Sequence, residues 1–309
     1  MLVRVNDFKF PPGWTSSANG AERARQCCEH LESGRILFFD GVPFNFPESD
    51  REFLLSQRQT GSRLHKNVSY RPKRDLLRGS AGDREEVSRL QDVMRRYSQE
   101  VARFVRNFLT PYADCDLDYA SFRPEQEQGR DLPVHKRNDL LHVDSFPTRP
   151  MHGRRILRCF TNINSTEPRV WNTTSDFSTL AQKFAVNAGL PAIAAQGSPR
   201  ANPLVRGIKK ALGFKAVDHS AYDRFMLRFH DYLKENSDFQ QNCRKIRIDF
   251  PPGATWLCYT DSVAHAVLSG QYALEQTFII PLKSMVAAQN APLRVLEKIA
   301  GIALIAQAA

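Results

Sequence analysis

The 309 residues carry 43 Lys and Arg against 33 Asp and Glu, a formal charge of +10, and 42% of them are hydrophobic. That is enough apolar material for one large core or two modest ones, and interspersed acids exclude a disordered basic tail. No apolar run is long enough to cross a bilayer, and MLVRVNDFKFPPGW lacks the apolar segment of a secretory signal, so a cytoplasmic protein is expected.

The 6 cysteines, Cys27, Cys28, Cys115, Cys159, Cys243 and Cys258, form no CxxC pair and read as reduced thiols. The positive balance favours an anionic partner: nucleic acid, acidic lipid headgroups, or a small molecule bearing carboxylate or phosphate. In chain order, a mixed opening region ends near VPFNFPE (42–48). Ser49 and Asp50 are then placed to cap a short helix, REFLLSQ. HKNVSYRPKRDLLRG (65–79) reads as a basic loop. From Asp83 to Leu109 the spacing of Val87, Leu90, Met94, Tyr97, Val101, Phe104 and Phe108 predicts a long helix, stopped by Pro111. Its arginines Arg84, Arg89, Arg96 and Arg103 fall on a solvated face.

Beyond Asp116 the period changes. DLDYASFR alternates as a strand, a polar loop leads into LLHVD, and RRILRCFTNIN and RVWNTT follow as further strands. GLPAIAAQGSP (189–199) reads as a loop of small residues, and a second helix fits Ser220 to Glu235. KIRIDF, ATWLCYTDS, HAVLS and YALEQTFII complete a run of short strands. Helices early and strands late predict an α+β chain with an all-β core: a sandwich or barrel with helices packed outside it. We expect a single domain over 1–309, with a mixed, helical part at 1–115. A β core with an inserted helix follows at 116–282, and a tail or helix at 283–309. The tail, LRVLEKIAGIALIAQAA, reads two ways: an amphipathic anchor on the inner membrane, or a helix packed on the core. No P-loop, HExxH or GxSxG is present, and no internal repeat stands out.

LLHVDSFP (140–147) carries the chemistry. In a strand, residues i and i+2 point the same way, so His142 and Asp144 can converge on one ion. Of the 8 histidines, His30, His65, His135, His152, His219 and His230 fall in helix, loop or turn contexts. His265 differs, because it opens the strand-like HAVLS late in the chain. An HxD early in a double-stranded β-helix (a jelly roll, cupin-like) with a histidine on a late strand assembles two imidazoles and a carboxylate on one face of Fe(II).

HVDSFPTRPMHGRRILRCFTNIN and GATWLCYTDSVAHAVLSGQYALEQTF resemble the bacterial Kdo 3-hydroxylases, and FFDGVPFNFP and KNVSYRP fit the same family. The resemblance covers nearly the whole chain. It implies a dioxygenase that uses Fe(II), 2-oxoglutarate and O2 to hydroxylate C3 of 3-deoxy-D-manno-oct-2-ulosonic acid (Kdo) on Kdo-lipid A, a lipopolysaccharide precursor. Succinate and CO2 would be the co-products. It implies His142, Asp144 and His265 as the iron ligands.

Many such enzymes anchor the far carboxylate of 2-oxoglutarate with an arginine on the strand after the distal histidine. GQYALEQTFII has no Arg or Lys, so the anchor is sought on the strand after HxD. There Arg158 shares a face with Phe160 and Asn162, while Arg155 lies on the other with Leu157 and Cys159. Arg158 is the expected anchor, with Asn162 nearby and Arg155 in reserve because a bulge would swap the parity. Gln276 is a further candidate from the last strand. Ser145, Arg149 and Arg154, with Arg71 in the basic stretch from Lys66 to Arg74, are candidates for the substrate entrance. Thr260 and Asp261 are placed to orient His265, and Trp171 and Trp256 read as packing. Alternatives open at this point are a 2-oxoglutarate oxygenase for another anion, including alkylated nucleic acid, and a non-catalytic cupin-like metal protein. Nucleic acid is disfavoured, since no basic stripe interleaves with aromatics.

Overall fold

The structure is a computed structural model that describes residues 1–5, 18–57, 67–80, 82–129, 131–197 and 218–306. Runs of β-branched and aromatic residues pair into two sheets. The larger joins, in order, β1 (Leu2–Arg4), β2 (Ile36–Phe39), β9 (Thr255–Tyr259), β6 (Arg155–Asn162), β11 (Ala273–Ile280), β5 (Asp116–Arg123), β3 (Val68–Arg71) and β4 (Leu76–Arg78). Its neighbours are antiparallel except β1 and β2. The smaller places β7 (Arg169–Thr173) between β10 (His265–Ser269) and β8 (Ile246–Phe250). Strands β1 to β4 extend the same sheet at its two edges, so the N-terminal part is built into the core sheet.

Residues directly opposite in a ladder share a face, and the register sorts the side chains. On β6, Arg158 lies opposite Thr277 and Cys258, and Phe160 opposite Glu275 and Trp256. This face turns toward the small sheet: the Phe160 and Trp256 rings meet Trp171 of β7 at 5.0 and 5.5 Å between centroids. Leu157, Cys159, Leu274 and Phe278 alternate the other way, into a core covered by α1 (Ala18–Glu32) and α3 (Arg84–Phe108).

Helix α3 matches its expected span to within a residue at each end. Asp83 caps it by accepting the Glu86 N–H at 2.9 Å, and Leu90, Met94, Tyr97, Val101, Phe104 and Phe108 are all buried. Arg96 leaves its outer face to hold Asp50 of α2 (Glu48–Ser56) through two bonds of 2.9 and 2.7 Å. The α2 helix begins behind Pro47 rather than at a Ser49–Asp50 cap: the Pro47 carbonyl accepts the Asp50 and Arg51 N–H groups, and the Asp50 carboxylate goes to Arg96.

A second layer comprises α4 (Phe177–Phe184), α5 (Leu190–Ala195), α6 (Ala221–Glu235), α7 (Ser237–Asn242) and α8 (Pro292–Ala300). These pack with Leu141, Val143, Met151 and Ile156 into a second core. Ser220 and Asp223 form a capping box at the start of α6. Leu293 and Leu296 of α8 and Leu304 after it are buried in this core, while Ile302 of the tail is exposed. Among the described residues, no helix is long and apolar enough to cross a membrane.

Three expectations change. Residues 68–78 form a hairpin, β3 and β4, whose buried Val68, Tyr70 and Leu77 were hidden among basic residues; His65 and Lys66 lie outside the described residues. Part of the supposed loop 189–199 is helix α5, since alanine favours helix wherever a core accepts it. LLHVD is not a regular strand: a single backbone bridge joins His142 to His265.

Candidate active site

That bridge is what brings the site together. The His142 N–H donates to the His265 carbonyl at 3.1 Å, and the His265 N–H returns to the His142 carbonyl at 2.9 Å. Two residues on, the Asp144 N–H donates to the Thr260 carbonyl at 2.7 Å. One ligand atom from each of His142, Asp144 and His265 lies within 4.8 Å of the others, and His142 Nε2 is 3.6 Å from an Asp144 oxygen.

The histidine tautomers follow from their other nitrogens. His142 Nδ1 lies 2.7 Å from the Leu140 carbonyl, and His265 Nδ1 lies 2.8 Å from the Val263 carbonyl. A carbonyl only accepts, so each Nδ1 carries the proton and each Nε2 presents a lone pair. Burial lowers the pKa of both rings, aided at His142 by the neighbouring His265 and Lys234, so both are neutral at pH 7. Burial pushes the Asp144 carboxyl up, but Arg158 and the two histidines outweigh it and hold the acid below the usual carboxylate range. Trp171 stacks on His265 at 5.1 Å, and His230 meets His142 edge-on at 4.9 Å. Two neutral imidazoles and a carboxylate converging in a buried site suit a divalent transition metal.

Beside the triad runs a line of buried charges. Arg158 reaches Asp144 at 3.0 Å and Glu275 at 2.8 Å; Glu275 also receives Arg123 at 2.6 and 3.2 Å. Arg123 continues to Glu127 at 3.6 Å, which meets Arg169 at 3.5 Å. Burial, and then the nearby Arg123, lower the Arg169 pKa to about 10, so an added anion would find that cation under-compensated. Arg158 Nε, Arg169 Nε, Trp171 Nε1 and Thr173 Oγ1 are buried without hydrogen-bond partners. All four residues lie on the faces that the two sheets turn toward each other, by the register and the Trp171 contacts.

The other expected residues separate. Arg155 sits on the far face of β6, fully buried, its guanidinium on Asp261 at 2.8 and 3.0 Å and over the Tyr259 ring at 4.0 Å. The strand has no bulge at this point to swap the parity, so Arg155 does not face the triad. Gln276 pairs with Cys159 and Ala120 on that same far face and donates to the Asp118 carbonyl at 3.0 Å, turned away from the triad. Asn162 keeps Arg158's parity, but its amide is used at the strand end, donating to the Glu167 and Phe250 carbonyls at 3.0 and 3.1 Å. Asp261 serves Arg155 and does not orient His265; the Val263 carbonyl does that.

Ser145 is half-buried next to Asp144. Arg71, Arg149 and Arg154 line a cleft of about 660 Å3, with Lys73 and Arg74. Arg149 pairs with Asp118 and lies over two rings, Tyr119 at 4.3 Å and Phe146 at 4.1 Å, while Arg71 covers Tyr119 at 4.9 Å. Phe146 also lies under Arg158 at 5.6 Å, linking cleft and metal site. Sequence reasoning missed Arg123, Arg169, Glu275, Glu127 and Phe146. Glu275 within ALEQTFII was the available signal, since a charge in a fully buried strand needs partners.

Comparison with known proteins decides the family. The family model for 3-deoxy-D-manno-oct-2-ulosonic acid (Kdo) hydroxylase matches residues 14–303. The chain belongs to the Kdo hydroxylase family. Its fold is similar to that of the Kdo hydroxylase KdoO, a non-heme Fe(II) α-ketoglutarate dependent dioxygenase. The cobalt(II) complex of KdoO aligns with a TM-score of 0.81 at 31% identity, covering 100% of this chain and 98% of that one. The complex with α-ketoglutarate and Fe(III) aligns at 0.79 and 30% identity, and that with succinate and Fe(III) at 0.80 and 30%, both with the same coverage. No curated protein matches the chain. The Kdo hydroxylase reading makes this chain an enzyme of the Fe(II)/2-oxoglutarate-dependent class with a mixed α+β fold.

Proposed function

We propose that the protein hydroxylates C3 of a Kdo residue on Kdo-lipid A, with Fe(II) held by His142, Asp144 and His265. The observation that carries this reading is the convergence of the three ligand atoms within 4.8 Å, in a chain of the Kdo hydroxylase family. The two sheets are read as a double-stranded β-helix, and the chain as one catalytic domain. When bound, iron with 2-oxoglutarate and O2 supplies the oxidising power that converts C–H to C–OH, leaving succinate and CO2.

The protein's own residues then have defined tasks. Leu140 and Val263 carbonyls keep both Nε2 atoms aimed at the metal, and Arg158 braces the second Asp144 oxygen. For the far carboxylate of 2-oxoglutarate we assign Arg158, with Arg123 and Arg169 behind it, over Arg155 and Gln276, which lie on the far face, and Asn162, whose amide is used at the strand end. The unpartnered nitrogens of Arg158, Arg169 and Trp171 fit a dicarboxylate, since its oxygens would satisfy them. Arg71, Arg149 and Arg154, with Ser145 at the inner end, hold the acidic sugar so that one C–H faces the metal. Trp171 and Phe146 wall the site against water. A lipid-linked substrate would bring this enzyme to the cytoplasmic face of the inner membrane.

The test is incubation with Fe(II), 2-oxoglutarate and Kdo-lipid A under air, followed by mass spectrometry. One added oxygen on Kdo, dependent on both cofactors, is expected. Succinate formed without any oxidised sugar would reject the substrate while sparing the cofactors.

A further inference from the structure

Glu275 lies on the inner face of β11, 3% exposed, opposite Phe160 and Ser121. One of its oxygens takes Arg158 at 2.8 Å, and the other takes Arg123 at 2.6 Å. Arg158 is therefore divided: one terminal nitrogen serves Glu275 and the other serves Asp144 at 3.0 Å. A guanidinium shared between two carboxylates draws less charge from each. Without the charge on Glu275, Arg158 would bear wholly on Asp144 and weaken it as a metal donor. Arg158, Arg123 and Arg169 would then face only Asp144 and Glu127, and the excess buried positive charge holds a dianion more tightly. Neutralising this one acid thus acts in opposite directions on a bound cation and a bound dicarboxylate.

We propose that Glu275 is a positioning residue that shares Arg158 with Asp144, strengthening metal binding while loosening the site's hold on the dicarboxylates that enter and leave. The proposal rests on reading the triad as the metal centre. It gives the 2-oxoglutarate site a release device, because the product succinate keeps a carboxylate that the same arginines would otherwise retain.

Full-length wild type, Glu275→Gln and Glu275→Asp are titrated with Co(II) by calorimetry and visible absorption. The Co(II)-loaded proteins are then titrated with 2-oxoglutarate and with succinate, with no turnover involved. In Glu275→Gln the Co(II) Kd is expected to rise about tenfold while both dicarboxylate Kd values fall by about the same factor. Glu275→Asp, which keeps the charge, should return both toward wild type. Both affinities unchanged, or both weakened together, would overturn the proposal, the second outcome marking a purely structural role. Should Glu275→Gln fail to fold, Arg123→Gln carries the test. It leaves Glu275 wholly to Arg158, so Co(II) should bind more tightly, and unchanged or weaker binding overturns the proposal. A wild-type protein that binds no Co(II) would instead reject the metal-centre reading, and the role of Glu275 with it.

Discussion

Two histidine rings qualify as metal ligands here through what their second nitrogens do. Each Nδ1 is tied to a backbone carbonyl, and each ring is buried and neutral. That has a signed pH consequence for the metal-free protein. The unfolded chain takes up protons near the ordinary histidine value of 6.5, whereas the folded pKa values lie lower. Their contribution is therefore complete above 6.5 and is lost as the pH falls toward the folded values. Thermal melts of the metal-free protein should show a falling Tm below that point, and a His142→Gln, His265→Gln double variant should show a flatter fall. Equal slopes would contradict the assignment. At Arg158, lysine cannot fork between Asp144 and Glu275. Arg158→Lys should raise the KM for 2-oxoglutarate by roughly tenfold or more, as expected for a lost charge-assisted bond; steady-state kinetics with varied cosubstrate would show it. The HxD spacing and the late histidine could be read as a residue pattern, but their convergence rests on the single bridge between His142 and His265. Arg123, Arg169 and Glu275 were not legible in the sequence, because three strands far apart in the chain must pair in one register before those charges meet.

The elements explain which readings held. Helix α3 was legible because seven apolar residues repeat over its length and an aspartate caps it. The alternation of β6 correctly separated Arg158 from Arg155 because that strand pairs without a bulge on both sides. LLHVD and residues 68–78 were misread in opposite senses: bridge and hairpin are fixed by distant partners, His265 in one case and β5 in the other. The turn between β10 and β11 shows how close such packing is. Gly270 has φ +125, and a Cβ there would lie 2.8 Å from Arg169 Cγ and 2.9 Å from its Cα. Gly270→Ala must displace β7 at Arg169, and should cost more than about 1 kcal/mol of stability. It should also weaken 2-oxoglutarate binding, as measured by calorimetry alongside a denaturant titration. Unaltered cosubstrate affinity would remove Arg169 from the pocket.

At the scale of the whole molecule, the buried apolar residues described form three clusters, and the charged site lies where the large sheet faces the small one, beside the aromatic cluster of Phe160, Trp171 and Trp256. The net charge of +10 is partly concentrated in the cleft of Arg71, Lys73, Arg74, Arg149 and Arg154. Exposed charges act through solvent, so the KM for a Kdo-bearing substrate should rise with ionic strength while that for 2-oxoglutarate at the buried arginines changes little. The central claim is that His142, Asp144 and His265 hold iron with 2-oxoglutarate bound beside it. The most direct measurement is an anaerobic titration of the protein with Fe(II) and 2-oxoglutarate, followed by visible absorption. A metal-to-cosubstrate charge-transfer band is predicted for wild type, saturating at one iron per chain and absent in His265→Ala. A wild-type protein without the band, or a His265→Ala variant that keeps it, would contradict the account.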